Sequence, residues 1–257
     1  MKSYLKKLNL RKENELKVRK KLVAGNWKMN LANLFELSPN EDVDVILFVP
    51  FTHIGVNRHL KEGGFNLGAQ NFYPAESGAF TGEISASMIK DAGASYVLIG
   101  HSERRAIFGE TNEFINEKVK FALKEDLIPI FCVGETLEER EKNITFEVIS
   151  EQIKIGFKEV SEEDAKKVII AYEPVWAIGT GKTATSEQAE EVCLQLRKLI
   201  SELYSKEASE TVRILYGGSV NMKNAKELFS MPNIDGGLVG GASLTAEFSE
   251  VIKGAAK

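Results

Sequence analysis

VIIAYEPVWAIGTGKTATSEQAEEVCLQLRKLISELYSKEASETVRILYG, residues 168–217, carries the fold in one repeat unit. It opens with Val168 to Tyr172, a run of strand formers apolar on both faces, and closes with a second such run, RILYG, beginning at Arg213. Between them Ala189, Val192, Leu196 and Ile200 recur every three or four residues, which is helical spacing. Thr185 with Gln188 three residues later predicts a capping box that starts this helix. A strand that can be buried on both faces, then a helix, then another such strand, describes a parallel βαβ unit.

The same alternation runs outward in both directions. KLVA at 21, VDVILFV at 43, FNLGAQ at 65, YVLIG at 96, IPIFCV at 128 and GGLVG at 236 join VIIAY at 168 and RILYG at 213 as eight strand candidates. Helical spacing separates them, as in Ile115, Val119, Ala122 and Leu123. Eight strand–helix units predict a single-domain (β/α)₈ barrel from Lys21 to Lys257. The competing arrangement is a doubly wound sheet, which carries a glycine-rich G-x-G-x-x-G turn after its first strand. Here strand one runs into Gly25-Asn26-Trp27-Lys28 and has no such turn.

Composition narrows the function classes. The 257 residues are 43% hydrophobic and 27% charged, with 21 glycines against 6 prolines, which is the balance of an ordinary globular chain. A formal net charge of −4 gives no electrostatic basis for binding nucleic acid. The longest apolar runs, such as Val45 to Phe51, are far short of the roughly 18 residues of a membrane-spanning helix, so no membrane association is expected. Cys132 and Cys193 sit in apolar surroundings, which argues against a disulfide framework or a zinc site and for a reducing, cytoplasmic compartment. Residues 1–20 differ from the rest: Lys2, Lys6, Lys7, Arg11, Lys12, Lys17, Arg19 and Lys20 face only Glu13 and Glu15. Without the apolar core of a secretory signal, this reads as a basic N-terminal extension.

In a barrel of this kind chemistry gathers in the loops past the C-terminal ends of the strands. Those loops read AGNWKMN (24–30), GHSERR (100–105), AYEPVWAIGTGKTAT (171–185), YGGSVN (216–221) and LVGGASL (238–244). GTGKT at 179–183 is not a phosphate-binding P-loop, because the first glycine of that motif would fall on Trp176. Glu173 ends a buried strand and precedes Pro174, which biases its backbone toward an extended conformation. A carboxylate fixed there, shielded by Ile178 and Leu238, is suited to act as general base on a carbon acid. His101 precedes the first turn of a short helix, where the helix N-terminus disfavours imidazolium. Lys28 offers a fixed positive charge to an anionic substrate, and Asn26 a donor beside it. The glycine pairs after strands seven and eight suit phosphate binding by backbone N–H groups.

Together these five motifs, in this order, resemble the triosephosphate isomerase family from about Lys21 to the C-terminus. The resemblance implies an aldose–ketose isomerase acting on triose phosphates without metal or organic cofactor. It implies that Glu173 moves a carbon-bound proton, that His101 serves the oxygens, and that Lys28 and Asn26 stabilise negative charge. Glu103 is implied as the buried carboxylate that orients Lys28, with Tyr216 and Leu238 as further supports. Phosphate is expected on Gly179, Ser219, Gly240 and Gly241. Pro174, Val175, Trp176, Ala177, Ile178, Gly179, Thr180, Gly181, Lys182, Thr183 and Ala184 are expected to form a lid with its tip at Ala177 to Gly179. The loop 71–83 resembles the family's dimerisation loop, with Thr81 reaching into a partner and Gln70 and Glu83 supporting it, so a homodimer is implied.

Two rival readings stay open at this level: another phosphate-binding barrel enzyme that shares the glycine pairs, and a barrel that binds triose phosphates without turning them over. The second arises from one departure. Only Leu31 to Asp42 separate Asn30 from strand two, room for at most two helical turns. A thinned wall over strands one and two is therefore expected, left open or covered by Leu5, Leu8, Leu10, Leu16 and Val18 of the extension.

Overall fold

The computed structural model describes residues 19–32, 37, 40–178 and 183–256. Eight strands are present where the apolar runs predict them: β1 (Lys21–Asn26), β2 (Val43–Val49), β3 (Asn66–Ala69), β4 (Tyr96–Ile99), β5 (Ile128–Val133), β6 (Ile169–Tyr172), β7 (Ile214–Tyr216) and β8 (Gly236–Val239). Each pairs in parallel with the next, and β8 returns to β1 with Leu22 opposite Gly236, so the sheet closes on itself in sequence order. Gly236 is required at that seam. Its φ is +144°, and a Cβ there would lie 1.8 Å from the carbonyl oxygen of Leu22.

Alternation along each strand divides the apolar side chains between two cores. Leu22, Ala24, Ile46, Phe48, Leu98, Ile130, Cys132, Ala171, Leu215 and Leu238 point inward and fill the barrel. Val23, Val45, Leu47, Val97, Phe131, Ile170 and Ile214 point outward into the layer beneath the helices. The main outer helices are α1 (Asn112–Lys124), α2 (Thr145–Gly156), α3 (Ser186–Leu203) and α4 (Glu247–Ala255). Thr185 and Gln188 form the reciprocal capping box at the start of α3, and Ala189, Val192, Leu196 and Ile200 are buried beneath it.

The wall over β1 and β2 is not open. Val23, Val45 and Leu47 are all buried. Helix α4 packs on both strands through buried Phe248, Val251 and Ile252. The Phe248 ring reaches to 3.0 Å from the position a Gly25 Cβ would take. Of the two arrangements considered for this wall, the open one is not found: the missing side chain at Gly25 lets the last helix lean onto the first strand. Half of the link from Leu31 to Asp42 (residues 33–36, 38 and 39), and Leu5, Leu8, Leu10, Leu16 and Val18, lie outside the described residues, as does the bulk of the extension. Its last two residues, Arg19 and Lys20, bind the barrel floor, to Asp235 at 2.7 Å and Asp44 at 2.7 Å respectively.

Candidate active site

The C-terminal ends of the strands open on a cavity of roughly 360 Å³. Asn26, Lys28, His101, Glu173, Ser219, Leu238, Gly240 and Gly241 all line it. Residues spread over more than two hundred positions of sequence thus meet at one mouth, because every parallel strand delivers its following loop to the same end.

Glu173 is the first residue past β6. Its N–H donates to the carbonyl of Val133 at 2.7 Å, and one strand further round Gly217 N–H donates to Tyr172 O at 2.7 Å. Its position on the rim is therefore set by backbone pairing. The residue is 2% exposed. One carboxylate oxygen accepts the N–H of Ser102 at 3.0 Å, and the other lies 3.0 Å from Nε2 of His101. The buried thiol of Cys132 also faces this carboxylate, and burial with the nearby negative charge holds it well above the ordinary thiol range.

His101 caps a short helix, Ser102–Phe108, and its Nδ1 accepts the N–H of Glu103 at 3.2 Å. That bond occupies the Nδ1 lone pair, which assigns the ring proton to Nε2. Burial lowers the pKa of His101 and the Glu173 carboxylate raises it, with a net upward shift. Glu173 is the converse: burial raises it, while His101, the Ser102 N–H and Lys28 together bring it below the usual value. Both shifts describe one interaction, in which the ionised carboxylate and the imidazole stabilise each other across the Nε2···Oε1 contact.

Lys28 has a φ of +54°, an uncommon conformation for a side-chain-bearing residue. Three contacts hold it there. Its N–H donates to Asn26 Oδ1 at 3.0 Å, its carbonyl accepts from Gln70 Nε2 at 2.9 Å, and its ammonium meets Glu103 at 2.6 Å. Strain at a functional position is characteristic of pre-organised sites. Glu103 differs from expectation: its side chain is 42% exposed, although it pairs with Lys28.

The lid segment begins as a tight turn. Val175–Ala177 form a 3₁₀ turn after Pro174, and Ala177 is fully buried, so it is not at the tip. Val175 N–H donates to Glu135 O at 3.0 Å, and Trp176 Nε1 donates to the Glu135 carboxylate at 2.8 Å. Ile178 lines the cavity. Gly179, Thr180, Gly181 and Lys182 lie outside the described residues. Thr183 is exposed, and Ala184 is buried with its backbone beside the Tyr216 hydroxyl. Gly241 opens a 3₁₀ turn, Gly241–Leu244, whose first N–H groups have no acceptor within the turn. Thr81 is exposed, as are Met29 on the first loop, Phe80 on the third and Met88 on the helix that follows it, Ala86–Ala92.

Four contributors were not identified in the sequence: the Ser102 backbone, Cys132, Glu135 and Gln152. Only Glu135 had a usable signal, since it lies in the loop past β5 and such loops face the mouth. The others act through backbone groups or from inside the apolar core. A larger groove, roughly 670 Å³, lies at the opposite end, but its charged groups Arg19, Glu210 and Asp235 are already paired with one another.

Comparison with known proteins agrees with this geometry. The family model described as triosephosphate isomerase matches residues 21–255. The triosephosphate isomerase of Endomicrobium trichonymphae is 51% identical over 248 residues, covering 92% of this chain and 99% of its own. That of Acetivibrio thermocellus is 51% identical over 244 residues, covering 91% and 97%. That of Chlorobium phaeobacteroides is 52% identical over 250 residues, covering 93% and 100%. The chain belongs to the triosephosphate isomerase family.

Proposed function

We propose that this chain interconverts dihydroxyacetone phosphate and D-glyceraldehyde 3-phosphate at the mouth of its barrel, by proton transfer through an enediolate. The observation that carries the reading is the convergence of Glu173, His101, Lys28 and Asn26 on one cavity beside two glycine-rich loops. In the forward step the Glu173 carboxylate leaves the Ser102 N–H and takes a proton from C1. The C–H electron pair becomes the C=C bond, and the carbonyl oxygen takes up the negative charge. Nε2–H of His101 donates to that oxygen, and Lys28 and Asn26 stabilise the charge. His101 regains a proton from the neighbouring hydroxyl, and Glu173 returns its proton to C2. Atoms and electrons balance without an external oxidant or reductant. Ser219, Gly240 and Gly241 hold the phosphate through backbone N–H groups, with Gly179 as a fourth donor. The lid runs from Pro174 to Ala184.

We also propose that residues 21–257 form the isomerase domain behind an extension of residues 1–20. The protein acts in the cytoplasm as a homodimer, with Thr81 entering the partner's mouth. The exposed apolar side chains of Met29, Phe80 and Met88 support this assembly. Among the described residues no helix is long and apolar enough to cross a membrane.

The test is turnover of the full chain in heavy water. Deuterium should enter at the carbon that receives the returned proton. Isomerisation without label would assign the reaction to a hydride shift, and absence of turnover would leave the non-catalytic reading. Sedimentation at working concentration should give twice the 28.5 kDa chain mass, and a monomer would remove the Thr81 contact.

A further inference from the structure

The rim loop after β5 is gripped from outside the barrel. Gln152 lies on α2 with only 9% of its surface exposed. Its Oε1 accepts the N–H of Gly134 at 2.8 Å, and its Nε2 donates to the carbonyl of the same residue at 3.0 Å. A carboxamide is the side chain that offers an acceptor and a donor in one plane, matched to one residue's N–H and C=O.

Gly134 is wedged against the proposed base. A Cβ on it would lie 1.8 Å from the carbonyl oxygen of Glu173 and 2.6 Å from its carbonyl carbon, so the two main chains touch there. The neighbours of Gly134 complete the hold: Val133 O accepts from Glu173 N–H, and Glu135 O accepts from Val175 N–H. The Glu135 carboxylate receives the Tyr172 hydroxyl at 3.1 Å and the Trp176 indole at 2.8 Å. Any rotation of the Gly134 peptide would thus shift Glu173 and the first turn of the lid together. We infer that Gln152 is a positioning residue for the isomerisation, fixing the Gly134 peptide so that Glu173 and the start of the lid sit at working height over the mouth. The inference rests on the reading of Glu173 as the base.

The experiment compares Gln152→Met, Gln152→Glu and Glu173→Gln as full-length proteins. Methionine keeps the volume and the helix but neither donates nor accepts well. Its kcat should fall on the order of tenfold to a hundredfold, the scale of small misplacements of a reacting group. KM, and competitive inhibition by inorganic phosphate, should stay within about twofold, because the phosphate-binding loops at the mouth are unchanged. An ionised glutamate can accept from the N–H but repels the carbonyl, whereas its protonated form restores both bonds. Burial beside a carbonyl raises that carboxyl's pKa, so the kcat of Gln152→Glu relative to the parent should rise as pH is lowered, while that of Gln152→Met stays flat. A folded Gln152→Met within about twofold of parental kcat, or parallel losses in kcat and phosphate affinity, overturns the inference. If Gln152→Met does not fold, a flat pH ratio for Gln152→Glu overturns it alone. Near-parental turnover of Glu173→Gln would sink the base assignment separately, whatever the Gln152 variants do.

Discussion

Glu173 and Asp235 are both 2% exposed, and they lie at opposite ends of the same barrel. At the floor, Asp235 accepts Nε of Arg19 at 2.7 Å, a guanidinium nitrogen of Arg197 at 2.8 Å and the N–H of Ile214 at 2.8 Å. Two fixed positive charges and a backbone donor leave it nothing to do but hold the strands. At the mouth, Glu173 has a backbone N–H, the Nε2 of an imidazole and a thiol. None of these is a permanent positive charge in contact, and Lys28 is instead tied to Glu103. Equal burial therefore yields different chemistry. A carboxylate locked by guanidinium groups is an anchor, and one held by groups that can release it is free to become a base.

The largest effect should come from Glu173→Gln. Loss of the base should lower kcat by about 10²- to 10⁴-fold while phosphate still binds. Residual turnover within about threefold of the parent would remove the contrast at its functional end. Next is Asp235→Ala, which strands the Arg197 charge beneath the barrel. It should destabilise the fold by about 3–5 kcal/mol, read by denaturant unfolding, with kcat per folded molecule preserved. A kcat loss larger than the stability loss would show that the floor and mouth are not separable.

Arg19→Ala should do less, about 1–2 kcal/mol, because Asp235 keeps Arg197 and Ile214 when one charged donor is lost. An unfolding curve superimposable on the parent's would show that the link between the extension and the floor contributes nothing. The smallest effect concerns Asp44, near the floor rim. Partial burial pushes its pKa up, but Lys20 and Arg213 bring it net below 3.8. The unfolded carboxyl then binds protons more readily than the folded one, so its stabilisation is complete above the unfolded value and is lost as pH falls through the folded one. With the side chain 28% exposed, screening limits this to on the order of 1 kcal/mol or less. Asp44→Asn should therefore lower neutral stability by up to about 1 kcal/mol and flatten stability against pH below about 4, where the parent's advantage fades. An unaltered acid slope would assign that slope to other carboxylates.

Much of the mouth was legible in sequence because barrel geometry is regular. Once VIIAY and RILYG are strands of one parallel sheet, Glu173 and Ser219 must share an end, and so must Asn26 and His101. That Leu238 lines the same cavity as Glu173 follows from the same alternation. Gln152 was not legible, since its partner is a backbone amide and backbone groups leave no trace in residue identity. Glu103 was mistaken as buried because pairing with Lys28 does not determine which way a rim helix faces. The short link between β1 and β2 was legible as a count of residues, but what covers the wall there was not, because local spacing sees only the residues between two strands. Phe248, more than two hundred positions away, closes it.

By itself, the sequence determined the eight strands, their common direction and the chemical inventory at their ends. These depend on local apolar periodicity and on which side chains can accept, donate or carry charge. Tertiary structure alone decided which of two equally buried carboxylates is free to move, which tautomer His101 holds and how Gly134 is fixed. Each of these is set by contacts between segments far apart in the chain, and a carboxylate's character comes from its neighbours rather than from its own identity.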